Sequence, residues 1–367
     1  MQNGTLRYGM FVMPIHNPEK PRSQCFDEDL ELLQRCEEWG FDEFWVGEHH
    51  SSSVENIVMP EIFIAKALGI TQKIRLGPAP VCLQYHHPFY VATRLAFLDH
   101  LSHGRLNLCF GIGGVPSDME VYGINPKQSG AMVAESLDTI LKLWSTDPPY
   151  QIEGDFWRVE FKKHLNPELG LVGSHRPYQE PHPPIAIPCV NRDSGSIQMA
   201  GSRGLQPFSH HMTHRETLVN HSDNYRRASE NAGFQPRLTD WKVARNIFVA
   251  DTTEEARRLA RNNSVAWTID YILKMTCVVP GLDMWKPRPE MSDTDCNLDY
   301  FMDDVVIAGD PEEVTRRILD LREEVGEFGT LVLVGHDWDD RAQHMRSLEL
   351  FAQEVMPALD EKSSVQP

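Results

Sequence analysis

The sequence predicts an α/β protein of the (β/α)8 TIM-barrel class with insertions. Three observations carry that expectation. Short apolar runs alternate with segments of helical period from one end of the chain to the other. The runs are continuously apolar, as strands buried on both faces are. Polar and ionisable residues gather where several of these runs stop, the place where such folds carry chemistry. A chain of 367 residues accommodates one such barrel as a single domain, over residues 1–359, with 360–367 as a disordered tail.

Taken in order, residues 6–13 form the first strand, closed by Pro14. Leu30, Leu32, Leu33, Cys36 and Trp39 recur at helical spacing over 27–39, and Gly40 stops that helix. The second strand is 44–47, followed by a helix over 60–69. The third, 74–81, is interrupted by Pro78 and Pro80, which a plain central strand does not accommodate. Pro88 opens a helix over 89–101 from a first-turn position. Gly104-Arg105 leads into the fourth strand, 106–112, and an amphipathic helix covers 129–144.

Residues 145–184 break the rhythm. A hairpin is expected at 150–161, and the remainder, rich in Pro, His and Gly, makes this segment an excursion on the barrel surface. The fifth strand is 185–190, a weak sixth lies around 205–209, a helix spans 215–231, and the seventh strand is 243–250. Asp251-Thr252-Thr253-Glu254-Glu255 supplies caps and first-turn acids to the next helix. A second excursion, 279–298, contains three prolines and Trp285. Residues 305–308 return to the barrel, and Asp310-Pro311 starts a helix to about 324. The eighth strand is 330–334, and 341–359 closes the outer ring. An open doubly wound sheet fits the same alternation.

Composition narrows the partners. Acidic residues outnumber basic ones, 53 to 35, for a formal net charge of -18. That balance argues against nonspecific binding to nucleic acid or an anionic membrane. Seven cysteines lack paired spacing, and Cys82, Cys109 and Cys189, in or at the end of apolar runs, read as buried free thiols. The start has no signal-peptide pattern and no apolar run is long enough to span a bilayer, so the cytoplasm is the expected location.

The chemistry concentrates at strand ends. Glu48-His49-His50 follows the second strand. Adjacent residues there point oppositely, so one imidazole faces the reaction centre. His49 is the candidate for proton transfer, as an imidazole that titrates near neutrality. Glu48 orients it or braces the rim, and His50 either joins it or packs on the rim. The spacing is not that of a zinc protease, and no metal is expected. In Tyr85-His86-His87-Pro88, His86 faces substrate or solvent, and His87 has a structural role open to it before the helix-opening proline. Two loops suit a phosphate. Gly111-Ile112-Gly113-Gly114 follows a strand without a dinucleotide or P-loop spacing. Asn191-Arg192-Asp193-Ser194-Gly195-Ser196 joins a strand to a helix start and offers amides, hydroxyls and an arginine, with Asp193 as the helix cap.

Glu48-His49-His50, Gly104-Arg105-Leu106-Asn107 with Phe110-Gly111-Ile112, Gly309-Asp310-Pro311-Glu312-Glu313-Val314 and Glu354-Val355-Met356-Pro357 together resemble the bacterial luciferase-like flavin-dependent monooxygenases. The likeness extends to the luciferase alpha subunit and to limonene monooxygenase-type members, and covers nearly the whole chain. It implies a barrel that uses FMN, supplied as FMNH2 by a separate NAD(P)H:flavin reductase, with O2. A flavin C4a-peroxide would then insert oxygen into a small or medium apolar organic substrate, by epoxidation, hydroxylation or a Baeyer–Villiger reaction. His49 matches the luciferase histidine that assists proton transfer.

The resemblance further implies a cis peptide at Ala79-Pro80, with Ala79, Pro80 and Val81 lining the flavin ring pocket. Luciferase carries a cysteine and a phosphate-clasping arginine where Gly113 and Gly114 stand here. That departure passes the phosphate to Asn191, Arg192, Ser194, Gly195 and Ser196, leaves Gly114 as space, or means weaker cofactor binding. The excursion 279–298 occupies the place of a mobile loop, with Trp285 excluding water as part of a lid or fixed in a rigid surface loop. Helices 59–69 and 89–101 are the expected dimer interface, in a homodimer or a heterodimer. The rival functions are hydride transfer with deazaflavin F420 and a noncatalytic partner subunit resembling the luciferase beta chain.

Overall fold

The computed structural model describes residues 6–278, 281–326 and 328–365. Its strands, in chain order, are β1 (Arg7–Val12), β2 (Glu43–Val46), β3 (Arg75–Pro78), β4 (Val81–Cys82), β5 (Leu108–Gly111), β6 (Tyr150–Glu153), β7 (Arg158–Phe161), β8 (Ile185–Cys189), β9 (Gln206–Ser209), β10 (Lys242–Arg245), β11 (Ile247–Val249), β12 (Ile307–Gly309) and β13 (Thr330–Gly335). Helices separate most of them, and the protein has the α/β barrel class expected from the sequence. By internal packing the chain divides into two compact units, Met1–Trp45 with Ala186–Pro367, and Val46–Ile185.

In the first unit the strand order is β2-β1-β13-β10-β9-β8. β1 and β10 flank β13 in parallel, with Tyr8 and Val243 both opposite Leu331. Met10, Leu33, Phe44, Ile187, Val243 and Leu331 are fully buried, so these strands lie against helices with no face left to water. Two charges share that interior at strand starts. Lys242 Nζ lies 3.3 Å from Glu43 Oε1, and Glu43 Oε2 accepts from Trp45 Nε1 at 3.1 Å.

Three details differ from the sequence reading. The seventh strand is two strands, β10 and β11, broken at Asn246. The Asn246 carbonyl accepts from Ile307 N at 2.9 Å, so the chain changes partner there and β11 pairs with β12 in a separate two-stranded sheet. Residues 305–308 therefore complete that small sheet instead of returning to the main one. Finally, the segment read as a disordered tail continues as the helix Met356–Val365. The buried Tyr8 hydroxyl donates to Asp360 Oδ1 at 2.8 Å, which ties this helix to β1.

The second unit holds β3, β4 and β5, with Val81 opposite Phe110 and Cys82 opposite Gly111 in parallel. The expected third strand is likewise two pieces, separated by Ala79-Pro80, and this peptide bond is cis. The helix Pro88–Leu101 starts at its proline, and His87 caps it by accepting from Phe89 N through Nδ1. Trp144, on the helix Ser129–Ser145, is buried and donates to Ala92 O at 3.1 Å, joining the two helices. The expected hairpin is β6 and β7, antiparallel. Its turn is held by Glu135, whose carboxylate accepts from the amides of Asp155, Phe156 and Trp157. Among the described residues no helix is long and apolar enough to cross a membrane.

Candidate active site

Glu48 lies just beyond the end of β2 and is 1 % exposed. A buried carboxylate needs compensation, and this one has three donors. Its Oε1 meets His50 Nε2 at 2.8 Å and His86 Nε2 at 2.7 Å, and its Oε2 accepts from Cys82 N at 3.0 Å. Burial alone would raise the Glu48 pKa, but the hydrogen bonds from His50 and His86 outweigh it and hold the carboxyl down at about 2. The ionised Glu48 can only accept, which places a proton on Nε2 of each ring, and the far sides have partners of their own. Arg94 Nη1, which can only donate, lies 3.4 Å from His86 Nδ1, and Tyr122 Oη lies 3.2 Å from His50 Nδ1. With Nδ1 accepting, each ring directs an Nε2–H at Glu48. These three residues bring their polar atoms within 4.8 Å of one another, a grouping that could hold a metal ion, and both imidazoles hydrogen-bond the carboxylate. Tyr85 stacks on Tyr122 at 4.7 Å and meets the His50 ring edge-on at 5.7 Å.

His49 enters a different cluster. Its Nε2 lies 2.7 Å from Glu55 Oε2, and its Nδ1 lies 3.5 Å from Asp118 Oδ2. The second contact is an ion pair without hydrogen-bond geometry, which leaves the buried Nδ1 without a hydrogen-bond partner. Burial would lower the His49 pKa, but the charges of Glu55 and Asp118 prevail and raise it to about 10. The ring is an imidazolium at neutral pH, so the expectation of an imidazole titrating near neutrality is corrected by its two carboxylate neighbours. Asp118 is held down at about 2, burial being overcome by His49 and by donors from Ser51 and the His50 amide. The two histidines thus leave the strand end in opposite senses, as the alternation of side chains requires.

The residues expected at the flavin ring lie in this unit. Ala79 N donates to Val46 O at 2.7 Å, Ala79 and Val81 are buried, and Val81 begins β4. Gly111 ends β5, and Gln84 Nε2 reaches past it to Ile112 O at 2.7 Å. Gly113 has φ +66°, and a Cβ there would meet Cys82 Sγ at 2.8 Å, so only glycine fits. Around Gly114 the space is open, which agrees with the reading that its missing side chain leaves room. His87 is the helix cap already described; its other ring nitrogen meets Arg158 O at 3.1 Å, a structural assignment.

The phosphate loop belongs to the first unit. Ser194, and not Asp193, caps the helix Gly195–Ser202, accepting from Ser196 N and Ile197 N. Asp193 is tied to the helix Arg215–Asn231 through Asn220 and Asn224. Arg192 is exposed and stands 3.9 Å from the Asp193 carboxylate, and Asn191 Nδ2 reaches only the Arg192 carbonyl, at 3.4 Å. The space around Gly195 is open. A helix start with an unobstructed approach and an adjacent cation fits the phosphate of FMN. Trp285 is 4 % exposed, donates to Thr276 Oγ1 at 2.9 Å and packs 5.0 Å from the His210 ring. Residues 279 and 280 of the same excursion lie outside the described residues.

Four polar residues that the sequence reading passed over follow strands of the first unit. His210 and His211 come after β9, Asn246 after β10 and His336 after β13. Asn246 Nδ2 donates to His211 Nδ1 at 2.8 Å, and His211 Nε2 meets Met13 Sδ at 2.9 Å. His336 Nδ1 lies 3.3 Å from Thr268 Oγ1, and its Nε2 has no partner. Burial pushes His210 and His336 down to about 3 and His211 well below its usual range. One signal would have found them: each is a polar residue immediately beyond a buried parallel strand.

Comparison with known proteins places this geometry. Residues 6–327 match the family described as luciferase-like monooxygenases. The chain is 33% identical over 359 residues to 4-hydroxyprotoasukamycin monooxygenase of Streptomyces nodosus subsp. asukaensis, covering 96% of this chain and 92% of that one. It is 31% identical over 357 residues to limonene 1,2-monooxygenase of Rhodococcus erythropolis, covering 96% and 87%. Among solved structures it is similar to the oxygenating constituent of 3,6-diketocamphane monooxygenase from Pseudomonas putida, a type II Baeyer-Villiger monooxygenase in complex with FMN. That likeness has a TM-score of 0.85 at 30% identity and covers 96% of this chain and 98% of that one.

Proposed function

The chain belongs to the luciferase-like monooxygenase family, and from that premise we propose that it is the oxygenase component of a two-component system. It takes FMNH2 from a separate NAD(P)H:flavin reductase and uses O2 to insert one oxygen atom into a small or medium apolar organic molecule. The full-length likeness to an FMN-bound oxygenating constituent carries this reading. Bound FMN supplies the reduced ring with which O2 reacts; everything else falls to the side chains.

In the first unit the residues that would suit the phosphate of FMN are Asn191, Arg192, Ser194, Gly195 and Ser196; in the second, those that would suit a flavin ring are Ala79, Pro80, Val81, Gly111, Gly113 and Gly114. His49, charged and fixed between Glu55 and Asp118, anchors a buried charge cluster that holds the strand end in place. Glu48 positions His50 and His86 through their Nε2 atoms, and Tyr122 and Arg94 hold the Nδ1 edges. Trp285 packs against His210 and keeps water from the neutral strand-end histidines.

The same reading includes self-association in the cytoplasm. Ile62, Tyr90, Phe97 and Leu101 are large apolar side chains exposed on or at the ends of the helices Pro60–Leu68 and Pro88–Leu101, the pattern of a surface covered by a second copy. Light scattering on a sizing column reads it directly, with a dimer expected for the native chain.

The function is tested by supplying FMNH2 enzymatically, with isotopically labelled O2, to a panel of terpenes, ketones and aldehydes. One labelled oxygen atom in an organic product is the expected mass change. Flavin oxidation with label only in hydrogen peroxide, across the whole panel, would reject it.

A further inference from the structure

Arg245 closes β10 and is 2 % exposed, yet its guanidinium has a single hydrogen bond, from Nη1 to Ala244 O at 2.8 Å. Among the described residues no carboxylate pairs with it. A buried cation is ordinarily matched by a buried anion, because leaving it unmatched costs several kcal/mol on the order of a desolvated charge. Its surroundings add to the imbalance. The side chain borders a cavity of about 160 Å³, next to the half-buried Arg317 and the exposed Arg215 and Arg316. Burial and the charges of Arg215 and Arg317 all push the Arg245 pKa down, to about 9, so it is still charged at neutral pH.

The acidic groups in the wall are Asp304 and Asp320, both exposed. Asp320 is engaged by Arg316, and Arg215 reaches out to Glu324 at 3.3 Å. Arg317 spends one donor on Val306 O at 2.9 Å. The inner wall is therefore cationic with unused N–H groups, and the carboxylates stay at the rim. Successive side chains of an extended chain leave on opposite faces, so Arg245 points away from Asn246 and its partner His211. A second cavity of about 750 Å³ shares Arg215 and Asp304 with the first and is bordered by Pro287, Met291 and Tyr300, which suits the organic part of a ligand whose charged end is at Arg245.

We propose that the cavity at Arg245 binds the oxyanion group of a small molecule, a phosphate or a sulfate, with Arg245 and Arg317 as the inner donors and Arg215 at the entrance. Planar guanidinium groups give paired N–H donors to tetrahedral oxyanions, and burial strengthens those bonds.

Calorimetric titration of inorganic phosphate into the full chain, saturated beforehand with FMN so that the Asn191 loop is filled, tests this. Saturable heat is expected at low ionic strength, reversed by sulfate but not by chloride at equal ionic strength. Affinity should fall roughly tenfold in Arg245→Met and about threefold in Arg215→Gln. Arg215 is exposed, so its replacement leaves a folded protein to measure even where Arg245→Met does not fold. No saturable heat in the native chain, equal reversal by chloride, or undiminished affinity in Arg215→Gln would overturn the proposal.

Discussion

In the unit formed by Val46–Ile185, His49, His50 and His86 each meet a carboxylate. In the other unit, His210, His211 and His336 meet a backbone amide, a thioether, a carboxamide and a hydroxyl instead. Both sets follow strand ends, and both are largely withdrawn from water. At His210, His211 and His336 burial is the largest cause and nearby positive charge adds to it, whereas at His49 burial acts against nearby negative charge. His49 is fixed as a cation at about 10, whereas His210 and His336 are held uncharged, at about 3. One residue type thus supplies a permanent charge in one place and a neutral polar lining in another, and the neighbours decide which.

The largest effect should come from breaking the charged set. Glu55→Gln leaves His49 buried with only the longer contact to Asp118, and removal of one member of a buried pair costs about 3–5 kcal/mol. The matching change in the neutral set, Thr268→Val beside His336, costs about 1 kcal/mol. Urea unfolding of both variants measures the difference, and equal losses would erase the distinction between the sets.

The second effect is on the pH dependence of stability. His49 is raised from 6.5 to about 10, so its contribution is complete below pH 6.5 and is lost as pH rises towards 10. His210 and His336 are lowered from 6.5 to about 3, so theirs is complete above pH 6.5 and is lost as pH falls towards 3. Asp118, lowered from 3.8 to about 2, adds to the acid side at the lowest pH. His49→Gln should flatten the alkaline limb of the stability curve by about 3 kcal/mol or less, and His336→Gln the acid limb. The slopes matter here, since His49→Gln also lowers stability at every pH by stranding Glu55 and Asp118.

The sequence made half of this comparison legible. The run Phe44-Trp45-Val46 ends visibly, and Glu48-His49-His50 stands directly after it. What it could not show is that Glu55 and Asp118 return to His49, because a loop and the short helix Pro116–Val121 bring them there. The charge state of His49 is a property of that return, and reasoning from an isolated imidazole gave the wrong one. The neutral set was hidden for another reason. Gln206-Pro207 made β9 look weak, and the run 243–250 looked like one strand, so the residues after β9 and β10 did not stand at an evident strand end. The parallel strands, their helices and the hairpin were all readable because they depend on local period and on prolines; the changes of strand partner at Asn246 and at Ala79-Pro80 depend on contacts distant in sequence.

A sharper test converts one set into the other. Asn246→Asp puts a carboxylate where a carboxamide now lies 2.8 Å from His211 Nδ1. The His211 pKa should rise from its present depressed position, as followed by NMR titration of the ring protons. A His211 that stays uncharged over the same pH range as in the native chain would mean that burial alone governs this set, whatever stands beside it.

The smallest change addresses how the charged set is oriented. Tyr122→Phe removes the hydroxyl 3.2 Å from His50 Nδ1 but keeps the ring that stacks on Tyr85 at 4.7 Å. One partly exposed hydrogen bond contributes about 0.5–1.5 kcal/mol, so the unfolding midpoint should barely move. The proton on Nε2 stays in place, because the Glu48 carboxylate can only accept it, while Nδ1 loses its partner. The Nδ1 chemical shift of His50 should therefore move with Nε2 still protonated, while the shifts of His86, anchored independently by Arg94, stay as they are. If both rings respond together, Glu48 couples them more tightly than two separate hydrogen bonds would.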